Sequence, residues 1–204
     1  MEVGSAAPFV PATRRLTELR EAARTCTGCP LYSDTTQTVF GEGPTDASIV
    51  LVGEQPGDQE DRQGHPFVGP AGAVLWGCVE EAGLDPAALY VTNAVKHFKH
   101  ERQGKRRLHK KPSTAEVKAC HPWLEAELEA VRAEVVVALG ATAARAVLGR
   151  TVAIGASRGQ ALAAGDRTAF VTFHPSAVLR ASDDAAEIRA ALVEDLRAAA
   201  AATG

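Results

Sequence analysis

Four short apolar runs set the limits on what this chain can fold into: "SIVLVGEQPG", "ALYVTNAV", "AEVVVALG" and "TAFVTFHP". A strand open to water on one face alternates apolar and polar residues. A strand covered on both faces reads as a nearly continuous apolar run, and these do. The stretches between them have helical spacing. Residues 12 to 24 place Leu16, Leu19 and Ala23 on one face, and "AGAVLWGCVEEAGL" does the same with Val74, Leu75, Cys78 and Val79 before Gly83 stops it. Ser113 and Glu116 form a capping box ahead of a helix carrying Val117, Cys120, Leu124 and Leu128, in which Pro122 predicts a bend. "ATAARAVLG" and residues 185 to 201 supply two more helices. Strands alternating with helices predict an α/β fold, a three-layer α/β/α domain around a central, mainly four-stranded parallel sheet. The 204 residues are enough for one such domain spanning 1–204.

Several classes of protein are disfavoured at this stage. No apolar run reaches membrane-spanning length, and the N-terminus lacks a basic-then-apolar leader, so a cytoplasmic protein without membrane contact is expected. Four cysteines are too few for a secreted disulfide scaffold of this size. Charge is unevenly spread: the net −3 is the balance of +7 between Lys96 and Lys111 and −10 elsewhere. A basic patch on an acidic body suits a polyanion such as nucleic acid, and equally a solvated basic loop.

Ligands of open α/β sheets bind at the carboxyl ends of the strands. Three polar signals fall there: "GEQPGDQED" after the first run, "TNAVKH" in and after the second, and "HPSAVLR" after the fourth. Together they point to one site. The pair in "CTGC", Cys26 and Cys29, follows a helix and precedes Pro30, which favours a metal clip over a redox pair. Cys120 is a third ligand candidate, His97 and His100 compete for the fourth place, and Cys78 on an apolar helix face reads as core. Three cysteines and a histidine suit zinc as well as an iron–sulfur cluster.

"GEQPGDQEDRQGHPFVGPAG", "TNAVKHFK", "KRRLHK" and "HPSAVLR", with Cys26, Cys29 and Cys120, resemble the uracil-DNA glycosylase superfamily over roughly Cys26 to Arg180. The resemblance is nearest to the family 4 iron–sulfur enzymes and, among their neighbours, to the UdgX branch. Gln55, where family 4 usually has Ala, and the basic "KRRLHK" insertion are the features that resemble UdgX.

The resemblance implies a 4Fe–4S cluster held by Cys26, Cys29, His97 and Cys120, with His97 standing where family 4 has a cysteine. It implies an N-terminal helix and clip over about residues 12–30 and a basic loop over about 98–112. The substrate it implies is uracil-containing DNA, expected single-stranded, acted on by a monomer. Phe67 would stack on the extruded base, Asn93 would read its edge, and Gly53 and Gln55 would bring backbone N–H groups close to it. His174 would steady the leaving uracil anion. Glu54 and His109 would act at the sugar, with Asp58 holding the loop, and Lys105, Arg106, Arg107, Lys110 and Arg180 would meet DNA phosphates. In UdgX-like chemistry, His109 attacks C1′ and stays bonded; in an ordinary glycosylase, water attacks and the abasic product leaves; the third alternative is a metal-containing DNA-binding protein with no enzymatic step. The cations flanking His109 would disfavour a protonated ring.

Overall fold

The computed structural model describes residues 4–203; residues 1–3 and 204 of the expected domain lie outside them. In chain order the elements are α1 (Leu16–Ala23), β1 (Ile49–Gly53), α2 (Asp58–Gln63), α3 (Pro70–Glu81), β2 (Tyr90–Asn93), β3 (His100–Gln103), β4 (Arg106–His109), α4 (Thr114–Val131), β5 (Val135–Leu139), α5 (Ala141–Leu148), α6 (Ile154–Ser157), β6 (Leu162–Ala164), β7 (Arg167–Thr172), α7 (Ser176–Arg180) and α8 (Ala185–Ala200).

The main sheet runs β2-β1-β5-β7-β6. Its first four members are parallel, as the apolar runs predict, and β6 adds an antiparallel fifth strand at the edge. Successive side chains point to opposite faces of a strand, so β1 sends Ile49 and Leu51 to one layer and Val50 and Val52 to the other. One layer holds Leu75, Cys78 and Val79 of α3 with Leu192 and Leu196 of α8. The other holds Leu16, Leu19 and Ala23 of α1, Trp123, Leu124 and Leu128 of α4, and Ala143 and Ala144 of α5. The capping box forms as expected: Ser113 N–H donates to Glu116 Oε2 at 2.6 Å, and Glu116 N–H donates to Ser113 Oγ at 3.3 Å. No helix among the described residues is long and apolar enough to cross a membrane.

Strand order changes direction between β1 and β5, because the connection from β1 to β2 covers one face and that from β2 to β5 the other. Loops leaving these two neighbours diverge and open a crevice at their carboxyl ends. A second unit stands beside it. The segment expected as a basic loop is a two-stranded antiparallel hairpin, β3–β4, with Gly104 at φ +59° in its turn and His100 opposite His109.

Candidate active site

The crevice is a cleft of about 970 Å³ whose walls include Glu54, Phe67, Asn93, His109, Thr142 and His174. β1 and β2 pair so that Gly53 lies beside Asn93. A Cβ on Gly53 would stand 2.3 Å from Asn93 Oδ1 and 2.6 Å from Phe67 Cζ, so only glycine lets amide and ring approach. Phe67 has φ +54°, an unusual backbone for a residue with a large side chain. Its carbonyl accepts from Trp76 Nε1 at 3.1 Å. Gly72 makes room for that carbonyl, since a Cβ there would meet Phe67 O at 1.9 Å. The Phe67 and His174 rings lie 6.4 Å apart. The Glu60 carboxylate joins the two loops on this side, accepting from Gly57 N–H at 3.0 Å and Gly69 N–H at 2.8 Å.

His174 has a defined tautomer. Ser176 N–H reaches its Nδ1 at 3.2 Å, and a backbone amide can only donate, so Nδ1 accepts and the ring proton sits on Nε2. Ser176 Oγ lies 2.7 Å from the same nitrogen and accepts from Arg180 at 2.7 Å. Burial, then the charges of Arg180 and His109, lowers the pKa to about 4. The ring is therefore a neutral donor at pH 7. In the unfolded chain it would titrate at about 6.5. The unfolded state thus binds the extra proton between the two values, and stability should fall as pH drops from 6.5 towards 4. The half-buried ring should contribute on the order of 2 kcal/mol to that fall. Urea titrations across this range should show the slope, and His174→Gln should lessen it, the buried His97 supplying the remainder; an unchanged slope would mean His174 is not buried neutral.

The hairpin carries His109 to the rim, half exposed, with Nε2 3.6 Å from Glu54 Oε1. An isolated two-stranded hairpin is marginal in water, so its anchors decide where His109 stands. Gln55 holds its base: Nε2 donates to Lys99 O at 3.0 Å and Lys110 O at 3.2 Å, and Oε1 accepts Lys99 N–H at 3.1 Å. Arg107 donates to Asp58 Oδ1 at 2.5 Å and to Asp61 Oδ2 at 2.6 Å. Asp61 is fully buried, and removing one partner of such a pair costs about 3–5 kcal/mol. Hydrogen bonds from Arg62 and then Arg107 hold Asp58 below the usual carboxylate range. Asp34 meets Arg102 at 3.1 Å and faces His100 Nε2 at 3.4 Å. Across the crevice, the Thr142 hydroxyl donates to Glu54 Oε2.

Cys26, Cys29 and Cys120 are buried, and burial first, with a smaller contribution from the neighbouring cysteines, raises the thiol pKa of Cys29 and Cys120. Burial pushes the Cys120 thiol up to about 12, while Lys96 N–H donates to its sulfur at 3.3 Å. His97 follows Lys96 in the chain. Thr38 gives its hydroxyl proton to Ala23 O at 3.0 Å, so at 3.0 Å from His97 Nε2 it must accept. That places the His97 proton on Nε2 and a lone pair on Nδ1. Burial lowers the His97 pKa to about 4, the neutral form a metal ligand needs. Three thiols and this imidazole fit a sulfur-rich metal group. Among the described residues, no three such side chains already converge at metal-binding spacing. His100 is turned elsewhere, stacked on Phe98 at 5.0 Å and facing Asp34.

Comparison with known proteins agrees with this arrangement. Residues 40–197 match the model of the uracil DNA glycosylase superfamily. The chain belongs to that superfamily. It is 38% identical over 181 residues to a type-4 uracil-DNA glycosylase of Thermotoga maritima, covering 88% of this chain and 90% of the relative. A type-4 uracil-DNA glycosylase of Pyrobaculum aerophilum is 32% identical over 173 residues, covering 81% and 85%. A type-5 uracil-DNA glycosylase of the same organism is 31% identical over 152 residues, covering 66% and 63%.

In this superfamily member the structure brings Glu54, Phe67, Asn93, His109 and His174 around one cleft, while Cys26, Cys29, His97 and Cys120 are all buried and none of them lines it. Two expectations need correction. Arg107, expected at DNA phosphates, points inward to Asp58 and Asp61 with its side chain only 10% exposed. The cations flanking His109 do not act on it unopposed: Arg107 is neutralised by those acids and Lys110 pairs with Glu101 at 2.7 Å. Lys105 and Arg106 are exposed at the hairpin tip, and Arg180 donates to Ser176. The Gln55 side chain serves the hairpin, so what it offers a base is its backbone. Residues the sequence reading missed are Thr142, Glu60, Asp61 and the fully buried Lys96–Glu127 pair. Lys96 Nζ donates to Asn93 O and Thr92 Oγ1, each at 2.7 Å, and Tyr90 OH donates to Glu127 at 2.9 Å. That network fixes the backbone on which Asn93 presents its amide. Its only sequence trace is the Asn93-x-x-Lys96 spacing.

Proposed function

We propose that the protein excises uracil from DNA and then bonds itself to the stranded sugar through His109. The observation that carries this is the placing of His109 and Glu54, 3.6 Å apart, at the rim of a cleft that also holds Phe67, Asn93 and the His174 donor. A uracil must leave the stack to be reached, and this costs least in an unpaired strand, so single-stranded DNA is the favoured substrate. Phe67 then offers a face to stack on. Asn93 supplies both a donor and an acceptor for uracil N3–H and O4.

The bond between uracil N1 and C1′ breaks with its electron pair leaving on uracil. His174 Nε2–H donates to the developing anion at O2, and neutral imidazole does so without giving up its proton. The sugar is left as an oxocarbenium ion, whose positive charge the Glu54 carboxylate offsets. A lone pair of the His109 ring forms a bond to C1′. The proton on its other nitrogen is then lost, with Glu54 the nearest carboxylate, leaving a neutral N-alkylimidazole that is a poor leaving group. Cys26, Cys29, His97 and Cys120 would hold a 4Fe–4S cluster, which when bound supplies a cross-brace between the N-terminal segment, the segment after β2 and α4.

A second reading has one observation in its favour. At 3.6 Å, His109 and Glu54 are not hydrogen bonded, which leaves Glu54 open to orient a water and release an abasic product. Incubation with a uracil-containing single-stranded oligonucleotide, followed by denaturation, separates the two. A shifted protein–DNA band supports trapping; cleavable abasic DNA alone supports turnover; unchanged DNA removes both. Asn93→Ala should slow uracil release by about a hundredfold or more, the scale expected for losing both edge contacts. Salt-sensitive binding to uracil-free DNA should persist in a filter assay, because phosphate contacts carry it. Equal loss of both would mean that Asn93 supports the fold and does not read the base.

A further inference from the structure

The two oxygens of Glu54 have different neighbours. Oε1 faces His109, and Oε2 accepts the hydroxyl proton of Thr142. Thr142 is the second residue of α5, which leaves β5, the strand next to β1 where strand order reverses. The contact therefore spans the crevice from one diverging loop to the other. Thr142 is 8% exposed, so water competes little for its hydroxyl. The turn before it is fixed by Gly140, whose φ is +86° and where a Cβ would stand 3.0 Å from His174 Cβ, so there is little choice of residue. One short segment thus abuts His174 with its glycine and grips Glu54 with its threonine.

We propose that Thr142 is a positioning residue for Glu54, a role that rests on the part given to Glu54 above. A free glutamate side chain turns about three torsions. With Oε2 tied to Thr142, the carboxylate is held across the cleft and Oε1 is the oxygen left for the sugar cation and for His109. Hydrogen bonds to charged groups are the strong ones, so losing this donor should be felt at the transition state.

Thr142→Val keeps the shape and removes the donor, whereas Thr142→Ser keeps the donor. Single-turnover uracil release and the covalently bound fraction are measured together on a uracil-containing single-stranded oligonucleotide, with thermal unfolding alongside. Thr142→Val should release uracil about tenfold more slowly, while Thr142→Ser should stay within about twofold of the parent. In a Glu54→Ala background, which leaves Thr142 no acceptor, Thr142→Val should add no further loss, since the two changes remove one interaction. A parent rate in the valine variant, equal loss with valine and serine, or a full additional loss on Glu54→Ala would each overturn the assignment. A parent protein that releases uracil but forms no bond to DNA would sink trapping alone, with Thr142 still judged on release rate. No release by the parent takes down both.

Discussion

Replacing His109 with Ser should abolish the denaturation-resistant protein–DNA complex and leave abasic DNA in its place. The bound fraction should drop at least about a hundredfold, because no other nucleophilic side chain replaces the imidazole. The loss should be chemical and not structural. His109 is half exposed at the end of β4, and the hairpin's anchors at Gln55, Arg107 and Arg102 do not involve it. The smaller side chain also admits water, so uracil release should continue and even repeat. A cross-link at the parent level would assign the nucleophile to another residue. Mass spectrometry of the digested parent complex gives a separate check, since the sugar-bearing peptide must contain residue 109.

Cys120→Ala should abolish binding of the proposed iron–sulfur cluster and with it much of the fold's stability. Cys120 sits in α4 with its sulfur receiving the Lys96 amide, next to the residue that carries the candidate imidazole ligand. Losing a structural metal group is among the few single changes expected to cost about 4–5 kcal/mol or more. The parent, purified gently, should be brown, and the variant should be colourless with a lowered unfolding midpoint. Cys78→Ala should stay brown, because Cys78 lies in the opposite layer, packed with Leu75 and Val79 and touched by Arg189 at 3.0 Å. Stoichiometric zinc without sulfide in the parent would overturn the cluster while leaving the ligand set standing.

The parallel strands could be read from the chain because burial on both faces leaves no polar alternation. β6 could not: Leu162–Ala164 is three residues long, lies at an edge and contains two alanines, which carry little strand signal. The β3–β4 hairpin left no apolar period, since it docks through ion pairs and amides, with Arg107, Arg102 and Gln55 doing what leucines do elsewhere. The same fact misplaced Arg107, because a charge count does not distinguish an anchored guanidinium from a free one. Glu60 and Asp61 sit in "GDQED", where buried and solvated acids look alike. Thr142 was within reach. It lies in "ALGATAAR", at the end of the third run where the strand-end rule also holds, but alanines around a lone threonine signal a helix start and no polar cluster.

The hairpin joins the domain at a single narrow neck. Lys110 N–H donates to Lys99 O at 3.0 Å, so its two ends already meet, and no residue of β3 or β4 belongs to either hydrophobic layer. On the proposed chemistry, whether this protein is spent after one encounter or serves again is decided by an appendage. Gaining or losing that appendage would leave both hydrophobic layers as they are and would be felt at its anchors, Asp58, Asp61 and Gln55.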